Sequence, residues 1–300
     1  MDKRPLVSVI IPTYNHAGFI REALESLCTQ TFSNWEAIVV NNYSEDETIS
    51  VVESFCDSRI SLENFRNHGV IAASRNHAIK LAKGEYLAFL DSDDTWFPEK
   101  LECCLDELRS GADLVCHGLR TLGASPDYEF FGGPVSGATF ESLLYKGNCL
   151  TPSATLVKKK VVVEVGGFSE DTEKVTSEDY HLWIKLAKAG ANMTFIKDVL
   201  GLYRVHSMNQ SSSVVRHLNS IFAVINDFFP SAGERSILEW MRIRRRCCIA
   251  YYGAGRELQK SGRRSDAWRY FFLAWLTWPL HLETYLAVVL NVFLILKHGT

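Results

Sequence analysis

The stretch EYLAFLDSDDTWFPEK, residues 85–100, carries an apolar run that ends abruptly in three aspartates within four positions, Asp91, Asp93 and Asp94. The run has the length and composition of a buried strand. Carboxylates packed this closely repel one another unless something positive sits among them. An isolated D-x-D is weak by itself, and a solvated turn after a strand would explain it. A buried strand changes the reading, because ligands on parallel α/β sheets bind beyond the carboxyl ends of the strands. Oxygen-only donors at that edge suit Mg2+ or Mn2+ bound by one or two carboxylates together with substrate phosphates.

Working outward, strand and helix patterns alternate through the first half of the chain. LVSVIIP (6–12) is followed by the helical AGFIREALESLCTQ (17–30), then WEAIVVNN (35–42), a helix from about Asp46, and ISLENF (60–65). GVIAASRNHAIKLAKG (69–84) is helical and leads into the opening stretch; PEKLECCLDELRSG (98–111) has Pro98 in its first turn and Gly111 at its exit, and ADLVCHG (112–118) makes another strand. This alternation predicts an α/β domain with a mostly parallel sheet covered on both faces. Pro12 to Asn15, Asn41 to Ser44 and Asp91 to Asp94 all fall at carboxyl ends of strands and are predicted to converge on one crevice. From 120 to 152 the pattern turns irregular, with GASPDYEFFGGPVSG (123–137) reading as a long loop of the kind that is usually functional or mobile. SATLVKK (153–159) and ANMTFIKDVLGLYRVH (191–206) read as strands around a helix, SEDYHLWIKLAKAG (177–190), with Ser177 as N-cap. After Val214 the chain is helical throughout, with CCIAYYGAGRELQKSG (247–262) and RRSDAWRYFFLAWLTWP (263–279) forming an antiparallel pair that turns at Gly262.

Composition adds limits. With 300 residues, 47% hydrophobic and 22% charged, the chain holds one large domain plus an appendage, and its net charge of −3 argues neither for nucleic acid nor for an acidic partner; no nucleic-acid partner is expected. The basic start and apolar run of MDKRPLVSVIIPTYN are too short for a signal peptide, since Pro12 closes the run. Eight cysteines without C-x-x-C spacing read as reduced packing residues of a cytoplasmic protein.

VSVIIPTYNHAGFIREALESLCTQTFSNWEAIVVNNYSEDET (7–48), GVIAASRNHAIKLAKGEYLAFLDSDDTWFPEKL (69–101), VGGFSE (165–170), TSEDYHLWIKLAKAG (176–190) and YRVHSMNQS (203–211) together resemble glycosyltransferase family 2. The resemblance covers residues 5–212, and the ordered set is far more specific than any single member. It implies the nucleotide-diphospho-sugar transferase fold known as GT-A. The implied reaction is inverting transfer from a nucleotide sugar to an acceptor hydroxyl, assisted by a divalent cation, Mn2+ or Mg2+. The expected division is a transferase domain over 1–213 and a helical extension over 214–300.

The resemblance also implies roles. Pro12, Thr13 and Tyr14 would hold the base, with Tyr14 offering a face to stack on, and Asn15 and Ser92 fall in the same nucleotide-sugar-binding set. Arg75, followed by Asn76 as in the family's A-R-N segment, would meet a base or phosphate oxygen with its forked donors. Asp93 would bind the metal directly, Asp91 would contact the ribose or a metal-bound water, and His206 would lie near diphosphate and metal; Asp94 reads better as a cap of the following turn. Asp179, paired with Glu178, is the candidate catalytic base, although acids in a first helical turn also simply stabilise the helix. Gly166, Gly167 and Phe168 match a segment that flanks the acceptor. One departure stands out: Asn41 and Asn42 replace two aspartates common in relatives, of which the second accepts an N–H of the base. Asn42 still offers a carbonyl oxygen, which favours a UDP-sugar.

The expected acceptor is a glycan or lipid-linked glycan. The tail mixes arginines with Trp268, Trp275 and Trp278 before YLAVVLNVFLIL (285–296), about 18 Å of helix and short of a ~30 Å hydrocarbon core. Burial, a homodimer contact and a peripheral place on the inner face of the cell membrane stay open for it. Two rival readings are a nucleotidyltransferase, which the E-D and G-G-F segments fit poorly, and a non-catalytic sugar-nucleotide-binding or scaffold protein.

Overall fold

The computed structural model describes residues 4–124, 126–206, 213–231, 233 and 235–298. The chain begins with β1 (Val7–Thr13), α1 (Ala17–Cys28), β2 (Trp35–Asn41), α2 (Thr48–Glu53), β3 (Ile60–Asn64), α3 (Ile71–Leu81) and β4 (Tyr86–Phe89). It continues through β5 (Thr95–Trp96), α4 (Lys100–Arg109), β6 (Leu114–Leu122), β7 (Glu129–Phe130), α5 (Phe140–Lys146), β8 (Thr155–Lys158), α6 (Lys159–Glu164), α7 (Glu178–Lys188) and β9 (Met193–Arg204). It ends with α8 (Val214–Asn226), α9 (Ile237–Lys260), α10 (Arg264–Thr277) and α11 (Leu282–His298). These elements fall into two compact units, one of residues 1–140 and 148–207, the other of 141–147 and 208–300.

Among the described residues, nine strands form one sheet in the order β3-β2-β1-β4-β8-β6-β9-β5, with β7 beside β6. β3, β2, β1 and β4 run parallel, in register Ile10 opposite both Ile38 and Phe89. β1 is buried along its whole length, as expected for a strand covered on both faces. Val7, Val9 and Ile11 of β1 pack on one face with Ile20, Leu24 and Leu27 of α1 and Leu101, Leu105 and Leu108 of α4. On the other face Phe89 meets Phe168 and Trp183 of α7 edge-on.

The expectation of a mostly parallel sheet holds for the first four strands and for the β6–β9 pair, while the remaining pairings are antiparallel. β8 runs antiparallel to both β4 and β6, and β5 antiparallel to β9. The segment before β8 contains no long crossover helix to return the chain in the parallel sense. The stretch read as irregular contains β7, which pairs only two residues with β6, and the seven-residue α5, both shorter than a periodicity window. Residues 141–147 of that stretch belong to the helical unit.

Within the helical unit, α9 and α10 pair as read, with Gly262 at a φ of 80° between them. Arg244 on α9 donates to the Thr277 and Leu276 carbonyls at the far end of α10, each at 2.7 Å. Gly255 lets α9 approach Phe271 so closely that a Cβ there would stand 2.6 Å from the ring. Among the described residues, no helix is long and apolar enough to cross a membrane.

Candidate active site

The crevice is assembled where β1, β2 and β4 end side by side. Asn15, just past β1, takes a left-handed φ of 50° and its N–H donates to Ser44 Oγ at 2.9 Å. Its side-chain Oδ1 accepts from the Glu45 N–H at 2.8 Å. The first N–H groups of α1, which have no partner within their own helix, are met by the loop after β2: His16 N–H by Thr48 Oγ1 and Ala17 N–H by Asp46 Oδ2, both at 3.0 Å. The two loops form one rim, above which the Tyr14 ring stands half exposed. Pro12 and Thr13 are buried beneath it, and Thr13 Oγ1 has no hydrogen-bond partner among the described residues.

Asn41 and Asn42 have distinct tasks. Asn41 donates through Nδ2 to Asn64 Oδ1 at 2.7 Å and accepts through Oδ1 from both the N–H and Oγ of Ser44. An aspartate there could not donate the first bond and would keep the contact only with the Asn64 amide turned over. Asn42 Oδ1 accepts the Asn67 N–H at 3.0 Å, which leaves one lone pair for a ligand.

The aspartate stretch folds as a tight turn, with the Asp94 N–H donating to the Asp91 carbonyl at 3.0 Å. Asp94 points inward, buried, and Oδ1 accepts the Arg204 N–H at the end of β9, so it anchors β9 rather than a ligand. Asp93 faces the crevice side of the turn, with Oδ2 2.9 Å from His206 Nε2. Burial, then the neighbouring Asp91, push the Asp93 carboxyl above its ordinary range. His16 joins this group: Nδ1 lies 2.7 Å from Ser92 Oγ, and its ring centroid is 6.1 Å from that of His206. A lone histidine three residues past a strand carries no spacing signal, which is why sequence reasoning passed over it. Arg204, which also donates to the Asp93 carbonyl at 3.0 Å, was likewise missed.

Arg75 departs from its expected role. Both Nη groups are engaged, Nη2 donating to Asp91 Oδ1 at 2.7 Å and Nη1 to Glu178 Oε1 at 2.6 Å, with the guanidinium over the Phe168 ring. Burial alone would lower its pKa, but Asp91 and Glu178 more than reverse that and hold it above the ordinary value. The donors expected to reach a base or phosphate instead tie the D-x-D turn to the start of α7. Asn76, one residue on, grips the G-G-F turn: Oδ1 accepts the Phe168 N–H and Nδ2 donates to the Phe168 carbonyl, both at 2.9 Å.

The G-G-F segment is correspondingly tighter than an open acceptor wall. Gly166 and Gly167 stop α6 in left-handed conformations, their N–H groups donating back to the Val163 and Val162 carbonyls. A Cβ on Gly167 would sit 2.7 Å from Asn76 Oδ1, whereas one on Gly166 would meet open space. Phe168 is only 3% exposed and supports Arg75 from below, so its ring is not available for direct acceptor contact.

Glu178 and Asp179 are adjacent and differently employed. Glu178 is buried, with one oxygen on Arg75 and the other accepting the Thr176 N–H at 2.9 Å. That second bond pins Thr176 at a φ of 85°, a conformation costly for a β-branched residue. Asp179 makes a long contact, 3.5 Å from Asn148 Nδ2, and its carboxyl is also met by the Tyr180 N–H. Burial, and then the negative charge of Glu178, push its carboxyl up to about 7. A carboxylate so tuned is matched to proton abstraction near neutral pH.

The donor set at the turn has the chemistry for a hard divalent cation: two carboxylates two positions apart, one of them raised by burial, with an imidazole beside it. No group of three His, Cys, Asp or Glu among the described residues is arranged to hold a metal alone. Mg2+ and Mn2+ sites use one or two carboxylates and take their remaining ligands from water and phosphates.

A half-parallel, half-mixed sheet with an acidic turn at its ligand edge and a second acidic pair facing it defines a GT-A-type transferase. Solved structures agree on the fold. The Pyrobaculum calidifontis mannosyltransferase PcManGT, in complex with GDP-Man and Mn2+, superposes with a TM-score of 0.63 at 21% identity, covering 99% of this chain and 82% of that one. S. aureus TarS 1–349 in complex with UDP-GlcNAc does so with 0.62 at 19%, covering 98% and 92%. The family model for Glycosyl transferase family 2 matches residues 8–133. The Escherichia coli UDP-Glc:alpha-D-GlcNAc-diphosphoundecaprenol beta-1,3-glucosyltransferase WfgD is 32% identical over 228 residues, 74% of this chain and 86% of that protein. The chain belongs to glycosyltransferase family 2, and it is a glycosyltransferase of glycan assembly.

Proposed function

We propose that the protein catalyses inverting transfer of a sugar from a nucleoside-diphosphate donor, with UDP-sugars favoured, to a hydroxyl of a lipid-linked glycan. The observation that carries this reading is the Asp179 carboxylate. Its side chain has a long contact, 3.5 Å, with Asn148 Nδ2, while its neighbour Glu178 is taken up by Arg75 and Thr176, and burial together with Glu178 raises the Asp179 carboxyl. Asp179 takes the proton of the acceptor hydroxyl as that oxygen attacks the anomeric carbon in line. Tyr14 offers its exposed face to the base, and Asn42 its remaining lone pair to an N–H such as uracil carries. The names of WfgD and of the UDP-GlcNAc complex support a uridine donor, and that of WfgD a polyprenyl-diphosphate acceptor.

Asp93, Asp91 and His206 would hold Mn2+ or Mg2+, which when bound neutralises charge developing on the leaving diphosphate. Arg75, held by both acidic segments, keeps Asp91 oriented and sets where α7 begins. The Asn41 amide has a structural use, and the missing charge at Asn42 is the feature on which a non-catalytic sugar-nucleotide-binding protein would rest.

The test is a panel of sugar nucleotides incubated with Mn2+ and a short polyprenyl-diphosphate-linked acceptor, scored for released nucleoside diphosphate. Release with a UDP-sugar, stimulated by the acceptor, is the expected result. Binding without release across the panel would point to the scaffold reading.

A further inference from the structure

The last helix is built inside out. Thr284, Ala287 and Asn291, spaced along one side of α11, are at most 3% exposed. On the opposite side Leu282, Leu286, Val289 and Phe293 are between 60% and 72% exposed. A helix of a water-soluble unit places its apolar stripe inward, and α11 does the reverse.

Its orientation is fixed by a buried polar latch. Gln259 on α9 donates to the Ala287 carbonyl at 2.9 Å and to Asn291 Oδ1 at 3.1 Å. Asn291 Nδ2 donates to the Arg264 carbonyl at 3.0 Å, and Arg264 Nη1 to the Leu294 carbonyl at 3.1 Å. Rotating α11 to hide its leucines would leave these buried groups unsatisfied, at a cost for each. The exposed face is therefore a specified feature of the helix. It continues onto α10, where Trp268, Phe272, Trp275 and Leu276 are exposed. The join is polar but internally closed: Trp275 Nε1 donates to Tyr285 Oη at 3.0 Å, and Tyr285 Oη donates to the Pro279 carbonyl at 2.8 Å.

Charge decides what covers it. Residues 208–300 contain twelve Lys and Arg against six Asp and Glu, in a chain whose net charge is −3. Between Arg269 and Lys297 the only charged residue is Glu283, and the basic residues Lys260, Arg263 and Arg264 gather at the α9–α10 turn, the first two beside Glu257 and Asp266. Two copies joined through this unit would each carry its excess of positive charge. A surface of anionic headgroups over an acyl layer complements it on both counts. We propose that the outward face of α11 and the adjoining stripe of α10 seat in the interfacial layer of an anionic membrane, with α11 lying on the bilayer. Among the described residues no helix could span it. The inference goes beyond the proposed reaction and does not depend on the identity of donor or acceptor.

The experiment is co-sedimentation of the full chain with phosphatidylcholine vesicles, with and without phosphatidylglycerol. UDP affinity by calorimetry and mass by light scattering are followed in parallel. The wild-type chain is expected to sediment with anionic vesicles and far less with neutral ones. Leu286→Asp with Phe293→Asp should weaken vesicle binding by at least about tenfold, with UDP affinity unchanged. Should that pair fail to fold by thermal melt, Val289→Ser serves in its place. Lys260→Glu with Arg269→Glu should weaken binding to anionic vesicles alone. A wild-type chain that ignores both vesicle types overturns the proposal. If light scattering then shows a dimer that the Leu286 and Phe293 substitutions split, the face joins two copies instead.

Discussion

At the scale of single residues, the division of labour between two adjacent acids decides the chemistry. Asp179→Asn keeps the size of the side chain and removes the base, and loss of general-base help costs about 10²–10⁴ in rate. Transfer should fall by that factor while donor affinity, measured separately, barely moves. The pH dependence follows from the carboxyl raised to about 7 by burial and Glu178: it is protonated and idle below that value, so kcat/KM should rise with pH through about 7 and then flatten. Asp179→Asn should abolish this limb. The same raised value favours the folded state when the group is protonated, a contribution lost as pH rises through about 7. Glu178→Gln should act through structure, lowering the melting temperature, since the acid holds both Arg75 and the strained Thr176. Near wild-type transfer by Asp179→Asn beside a dead but folded Glu178→Gln would reverse the two roles. Asp93 makes a separate prediction. Its replacement by Asn should weaken Mn2+ binding, followed by electron paramagnetic resonance, by at least about 10–100-fold, the range lost even with outer partners of metal sites. Chelator should silence the wild-type chain, and full activity in excess chelator would remove the metal from the account.

At the scale of elements, α3 organises the site without itself facing a substrate. Arg75 ties the turn after β4 to the start of α7, and Asn76 ties the end of α6 into the same frame. Arg75→Met leaves a buried acid unpaired, a change that costs about 3–5 kcal/mol. Pairing it with Glu178→Met should recover part of that loss in thermal unfolding. A single variant that melts like wild type would show the ion pair to be incidental. This hub also marks the limit of what was legible in the sequence. The strands, helices and convergence of three strand ends on one crevice could be read because each is a local pattern of hydrophobic period and turn residues. Arg75's partners are 16 and 103 residues away, so nothing near it in sequence distinguishes a ligand-binding guanidinium from a buried tie. Phe168 misled for the same reason, since its burial is set by Phe89 and Arg75. His16 went unread because its partners, Ser92 and the Asp93–His206 pair, meet it only in the fold.

At the scale of the molecule, one unit presents an acidic crevice and the other a basic helical surface with its apolar side outward. The helical pattern after Val214 was plain in the sequence, while the inversion of α11 was not: its apolar and polar stripes are both visible in the letters, and only the Gln259–Asn291 latch shows which one faces in. The central claim concerns the reaction of the whole enzyme, in which an acceptor hydroxyl deprotonated by Asp179 displaces the nucleoside diphosphate in a single in-line step. Such a step turns the anomeric centre over. The most direct measurement is proton nuclear magnetic resonance of the product formed from an α-configured UDP-sugar, reading the coupling at the new anomeric proton. The account predicts a β-linked product, and an α-linked product would contradict it.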